Sequence, residues 1–169
     1  MTGTSGQGIE LSMGQTILSP MAFTIGEPAF FIQAQFKVQD VSGANPLIIG
    51  LRKAQAFDAT LANYTDFATI GIVGTAGHIQ IQTQLNTAGV ITTDTTKIAV
   101  DGAVFQVKIK VSSTGVVTYE YNYATPTVIA VVPLQFDLGD VVIPFIRFTE
   151  AADVTTEAAC NYLEMGFQS

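Results

Sequence analysis

From Phe30 to Val38 every second residue is apolar: Phe30, Ile32, Ala34, Phe36 and Val38 lie in one phase, with Gln33, Gln35 and Lys37 in the other. A period of two is the repeat of a β-strand, so one side of this segment must be buried and the other wet. The pattern returns in Ile79, Ile81, Thr83 and Leu85 against Gln80, Gln82 and Gln84. It returns again in Phe105, Val107, Ile109 and Val111 against Gln106, Lys108 and Lys110. Three segments that bury aliphatics on one side and show amides or lysines on the other predict antiparallel sheets with a shared core.

Between them lie shorter apolar runs, Leu47–Leu51, Ala68–Val73, Val128–Val132 and Val141–Phe148, rich in β-branched residues and too short for helices. Each reads as a buried strand, and Ala159–Phe167 reads as a closing one. Pro144 cannot donate to a ladder, which predicts an edge or a bulge at that point. Turn residues separate the runs: Ser42–Pro46, Gly74–Gly77, Asn86–Gly89, Asp101–Gly102 and Leu138–Asp140, with Ser112–Gly115 closing a tight hairpin. Roughly ten short strands at this spacing predict an all-β antiparallel sandwich. The only candidate for a helix is Lys53 to Asn63, with a simple turn as the alternative, and Thr92–Thr96 reads as a solvated polar loop. Residues 1–8, Gly-, Ser- and Thr-rich, are expected to be a flexible arm, and residues 9–169 a single domain.

Charged residues make up 12% of the chain, about half of the roughly 25% usual in globular proteins. Gln, Thr, Asn and Ser take their place, leaving a surface that is easily desolvated and suited to protein contact. The net charge of −7, without a basic patch, argues against nucleic acid. No apolar run reaches the roughly 18 residues of a spanning helix, and the first residues lack the basic and apolar regions of a secretory leader. These features predict a protein that folds in a cytoplasm and has no membrane partner. Cys160 is the only cysteine, which rules out an internal disulfide and thiolate metal clusters.

Candidates for chemistry are few. His78, the only histidine, follows Gly77 at a strand start and reads as a turn residue; Cys160 reads as a small buried hydrophobe. No Gly-x-Ser-x-Gly elbow and no Glu-x-Asp-x-x-Glu cluster occurs; Glu120 stands alone, and Asp137 and Asp140 sit in a turn. Asp58, Asn63 and Asp66 offer three oxygens in one loop, the best candidate for a hard cation, although their spacing matches no EF-hand and a solvated loop is the stronger reading. Tyr119, Tyr121 and Tyr123 share one side of a strand, where they are either core or an aromatic platform. These tyrosines, with Gln33, Gln35, Gln80, Gln82 and Gln84, are the candidate ligand or partner surface. The expectation is no catalytic residues, no cofactor and no enzyme.

Several stretches resemble the concanavalin A-like jelly-roll sandwiches (lectin and glucanase type) of tailed-bacteriophage structural proteins. They are Tyr64–Ile72, His78–Asn86, Val104–Tyr119, Val141–Arg147 and Asn161–Met165. The resemblance implies a virion component assembled in the host cytoplasm, foremost a capsid decoration (cement) protein on the major capsid protein, with a homotrimer as the guessed oligomer. A tail fibre, spike or carbohydrate-binding module, with a glycan as ligand, is the alternative.

Overall fold

The computed structural model describes residues 8–13, 21–74, 76–129, 133–150 and 156–168. The strands are β1 (Gly8–Ser12), β2 (Phe23–Thr24), β3 (Phe30–Val38), β4 (Ala44–Lys53), β5 (Phe67–Ile72), β6 (His78–Gln84), β7 (Ile91–Ile98), β8 (Val104–Val111), β9 (Val117–Tyr121), β10 (Val141–Glu150) and β11 (Ala158–Phe167). All pair antiparallel. The large sheet runs β1-β10-β4-β5-β6-β7, with β2 also on β10, and the small sheet runs β11-β3-β8-β9. This is the two-layer jelly-roll sandwich that the alternation predicts.

The core lies between the sheets. Phe30, Ile32, Ala34, Phe36 and Val38 of β3 and Phe105, Val107, Ile109 and Val111 of β8 face Leu47, Ile49, Leu51, Ala68, Ile70, Ile72, Ile79 and Ile81 of the large sheet, and all are buried. Each large side chain removed from water in this way contributes about 1.5–3 kcal/mol. The large sheet is also covered on its outer face: Ile48, Phe67, Ile143 and Phe145, in the opposite phase, are buried as well. That second apolar layer explains why β4, β5 and β10 read as continuous apolar runs.

Three expectations change, and at residues 53–63 the turn prevails over the helix. Thr92–Thr96 is not a loop but part of β7, whose threonines satisfy the pleat at an outer strand. Val128 and Ile129 are exposed and outside any strand, and residues 130–132 lie outside the described ones. Residues 53–63 carry only a single 3-10 turn, Leu61–Asn63. Pro144 is on β10, between β1 and β4. Its carbonyl accepts from Met13 N, so its ring nitrogen faces β1 just beyond the last paired residue, Ser12, where no ladder donor is needed. Of the expected arm, residues 1–7 lie outside the described ones, and Gly8 already pairs with Thr149.

Candidate functional site

Register places side chains of the large sheet's outer face in rows. One row crosses six strands as Glu10, Arg147, Ile48, Gly71, Gln80 and Asp94; the next runs Ser12, Phe145, Gly50, Thr69, Gln82 and Thr92; a third runs Ile143, Arg52, Phe67 and Gln84. Two glycines keep the middle of this face low. A Cβ at Gly50 would run into the Phe145 ring, and one at Gly71 into the backbone of Leu47 and Ile48.

One end of the face is built on buried charge. Glu10, 1% exposed in its side chain, meets Arg52 Nε at 3.2 Å and Arg147 Nε at 3.7 Å. The Tyr64 hydroxyl donates to Glu10 Oε1 at 2.9 Å, and the Arg52 guanidinium stacks 4.4 Å from the centre of the Tyr64 ring. Further guanidinium donors hold the chain that follows β4: Arg52 Nη1 donates to the Gln55 carbonyl at 2.8 Å, and Arg147 Nη2 to the carbonyls of Asp58 and Ala59 at 2.7 and 2.5 Å, while Arg52 Nη2 has no hydrogen-bond partner among the described residues. Gln84 Nε2 donates to the carbonyls of Ala62 and Tyr64. Two arginines, a glutamate and an amide therefore clamp residues 55–64 over the sheet. In so low a dielectric, each charge is tolerable only because the others are present.

The clamped segment is one wall of a groove of about 570 Å³, within the usual range for small-molecule sites. Thr60, Leu61 and Ala62 line it on one side, Gln82, Val90 and Thr92 on the other, with Arg147 between. Gln82 Nε2 donates to Thr92 Oγ1 at 3.2 Å, which fixes the amide and leaves its carbonyl oxygen as an acceptor. Beyond Gln80, His78 Nδ1 lies 2.6 Å from Asp94 Oδ2. His78 is thus the first residue of β6 and half of a carboxylate-oriented pair, not an isolated turn residue. With Nδ1 bound to the carboxylate, the neutral ring carries its lone pair on Nε2.

The expected site residues separate. Asp58 and Asn63 meet, Asn63 Nδ2 reaching both carboxylate oxygens at 3.1 Å, but Asp66 is buried elsewhere, accepting from Asn86 N at 2.7 Å and facing Lys53. The bonds from Thr60 N and Asn63, aided by Arg147, hold the Asp58 carboxyl below its ordinary pKa. Among the described residues no group of three or more His, Cys, Asp or Glu is placed to hold a metal. Gln80, Gln82 and Gln84 share the large sheet's outer face, although Gln84 is buried as a structural clamp. Gln33 and Gln35 are on the small sheet, on the opposite side of the molecule. The tyrosines part as well: Tyr119 is core, Tyr121 packs half-buried against it, and Tyr123 leaves the strand and is exposed. Cys160 is exposed, not buried, because β11 is the edge of the small sheet. Glu10, Arg52 and Arg147 escaped the sequence reading. Their signal was a single ionisable residue in the wet phase of an apolar strand, as in Ile9-Glu10-Leu11.

No family model matches the chain, and no curated protein does. Solved structures share its fold. A legume lectin-like domain from Entamoeba histolytica superposes with a TM-score of 0.65 at 10% identity, covering 100% of this chain and 82% of its own. The Emp46p carbohydrate recognition domain, in a potassium-bound form, gives 0.61 at 9% identity over 96% and 79%. An alginate lyase from Pseudomonas aeruginosa gives 0.57 at 13% over 88% and 69%. The fold is therefore the concanavalin A-like jelly roll of lectins, alginate lyases and glucanases. The expectation that the chain is not an enzyme is overturned as an inference from the fold: further alginate lyases and a Mycobacterium abscessus protein named for β-glucanase activity share the same sandwich. At such low identity these likenesses carry the fold and no residue's role. The missing nucleophile elbow and carboxylate cluster excluded only two chemistries.

Proposed function

We propose that the chain is a carbohydrate-recognition domain whose groove on the outer face of the large sheet takes a short stretch of a glycan. The supporting observation is the groove itself: a fixed amide–hydroxyl pair, Gln82–Thr92, faces a hydroxyl-bearing wall held rigid by buried charge. Sugars present hydroxyls in pairs, and preorganised amides and hydroxyls meet them at little ordering cost. Domains with lectin and carbohydrate-recognition names on the same fold support the reading.

A glycan array followed by titration calorimetry tests it. A retained glycan should lose at least tenfold in affinity, about 1.4 kcal/mol, in Gln82→Ala and Thr92→Ala while the melting temperature is held. Retention of no glycan, or both variants binding like the parent, would sink the idea. Assaying the same glycans for new chain ends shows whether binding leads to cleavage.

A second reading, a tailed-phage virion protein seated on the major capsid protein as a homo-oligomer, draws on the low charge and on the amide-lined outer face of the small sheet. Co-sedimentation with purified capsids is its test; protein that stays in the supernatant argues against it.

A further inference from the structure

The outer face of the small sheet carries an uncharged row: Tyr162, Gln35, Gln106 and Asn122, in register from β11 across β3 and β8 to the turn after β9. That turn is unusual. Tyr121 and Ala124 exchange both backbone hydrogen bonds, closing a two-residue hairpin loop in which Asn122 (φ 47°) and Tyr123 (φ 66°) are both left-handed. Loops of this shape favour Asn followed by Gly, since only glycine takes the second position without strain. Here a tyrosine stands in it, 73% exposed, so the strained position serves no packing that a smaller residue would lack.

The turn is also aimed. Asn122 accepts from Gln106 N at 2.9 Å through its side chain and donates its backbone N–H to the Gln106 carbonyl. Tyr162 stands at one end of the row and Tyr123, one residue past Asn122, at the other, so a phenol flanks each end. Gln106 is 3% exposed, and its side-chain oxygen has no hydrogen-bond partner among the described residues, although its amide donates to Gln33. Asn161 anchors Gln35 at 3.1 Å. Of the charges in the adjoining rows, Glu164 is engaged by Gln33, Glu120 by Lys110 and Lys108 by the face of Phe31, while Lys37, in the row on the other side of Gln35, is exposed.

We infer that Tyr123 and Tyr162, with Gln35 and Gln106 between them, form a second carbohydrate subsite, one that takes a ring of an uncharged glycan. Tyrosine offers an apolar face to sugar C–H groups and a hydroxyl to their oxygens. Amides donate and accept, as sugar hydroxyls do, and the row lacks any charge that would select an ionic ligand. The subsite lies on the side of the molecule opposite the Gln82–Thr92 groove, so one domain would hold two chains, or two points of one, and bind more tightly than either site alone.

The test is NMR titration of the whole chain with maltohexaose, cellohexaose and mannohexaose, following the tyrosine ring and the glutamine and asparagine side-chain signals. At least one hexaose should shift the Tyr123, Tyr162 and Gln106 signals saturably. Tyr123→Gly should reduce that binding at least tenfold while the melting temperature stays or rises, because glycine relieves the turn. Gln82→Ala should leave it intact, which separates this site from the groove. No shift at these residues with any of the three hexaoses overturns the inference, as does Tyr123→Gly binding like the parent.

Discussion

Glu10 and Arg52, 42 residues apart in the chain, meet at 3.2 Å beneath the outer layer of the large sheet, with both side chains buried. One carboxylate there serves two guanidiniums and a phenol, so its loss strands two cations at once. Glu10→Gln is expected to destabilise the protein by about 3–5 kcal/mol, the usual result of removing one partner of a buried pair. Replacing Glu10 and Arg52 together by Leu and Met should cost much less than the two single changes added, because no charge is then left uncompensated. Urea unfolding of the three variants checks this, and additive losses would show that the pair is not coupled.

The glutamines of β6 look alike in sequence and should behave differently. Gln84 donates to the Ala62 and Tyr64 carbonyls and is buried, so Gln84→Ala leaves both acceptors unpaired and should cost about 1–3 kcal/mol. Gln80 is partly exposed, and Gln80→Ala should stay within about 0.5 kcal/mol of the parent. Thermal melts of the pair read this directly.

What alternation could show and what it could not follow from this contrast. In β3 and β8 the polar phase, buried Gln106 apart, keeps its contact with water, so period two separated core from surface and the sandwich was legible. In β4, β5 and β10 both phases are buried, and the runs named strands without naming faces. Gln84 was lost for a related reason: an amide in the wet phase looks solvated until a loop 20 residues earlier folds back on it. Asp66 was likewise credited to the Asp58 loop, whereas its partner is Asn86, across a hairpin. The Glu10 cluster joins β1, β4 and β10, and local patterns hold no record of such distant pairing. Tyr123 kept the phase of Tyr119 and Tyr121, but the left-handed turn at Asn122 ended the strand before the phase applied.

Loop order over the groove should depend on acid. The Asp58 carboxyl is held below its ordinary 3.8 by Thr60 N, then by Asn63, with a smaller contribution from Arg147. A carboxyl with a depressed folded pKa stabilises fully above its unfolded value and ceases to do so as pH falls through the folded one. Relative to the intrinsic rate at each pH, the Thr60 amide should therefore be well protected above about pH 4 and less protected below it. Asp58→Asn should show one intermediate protection across that range. Protection at Thr60 that ignores pH between 2.5 and 5, about the span of such a titration, would refute the link.

Tyr119 supplies the opposite kind of case, a buried polar group whose removal should help. Its ring fills the core at 4% exposure, and its hydroxyl has no hydrogen-bond partner among the described residues. Burial pushes the phenol far above its ordinary pKa, so it stays neutral at all working pH values. A hydroxyl taken from water without a partner is a net cost, while the ring it sits on contributes by burial. Tyr119→Phe keeps the ring and deletes the oxygen, leaving a gap smaller than a methyl group. The expected outcome is a stability equal to the parent or higher by up to about 1 kcal/mol, read from the denaturant midpoint at unchanged slope. A loss above that size would mean that the hydroxyl has a partner after all, and would place a polar contact inside the core where the sheets meet.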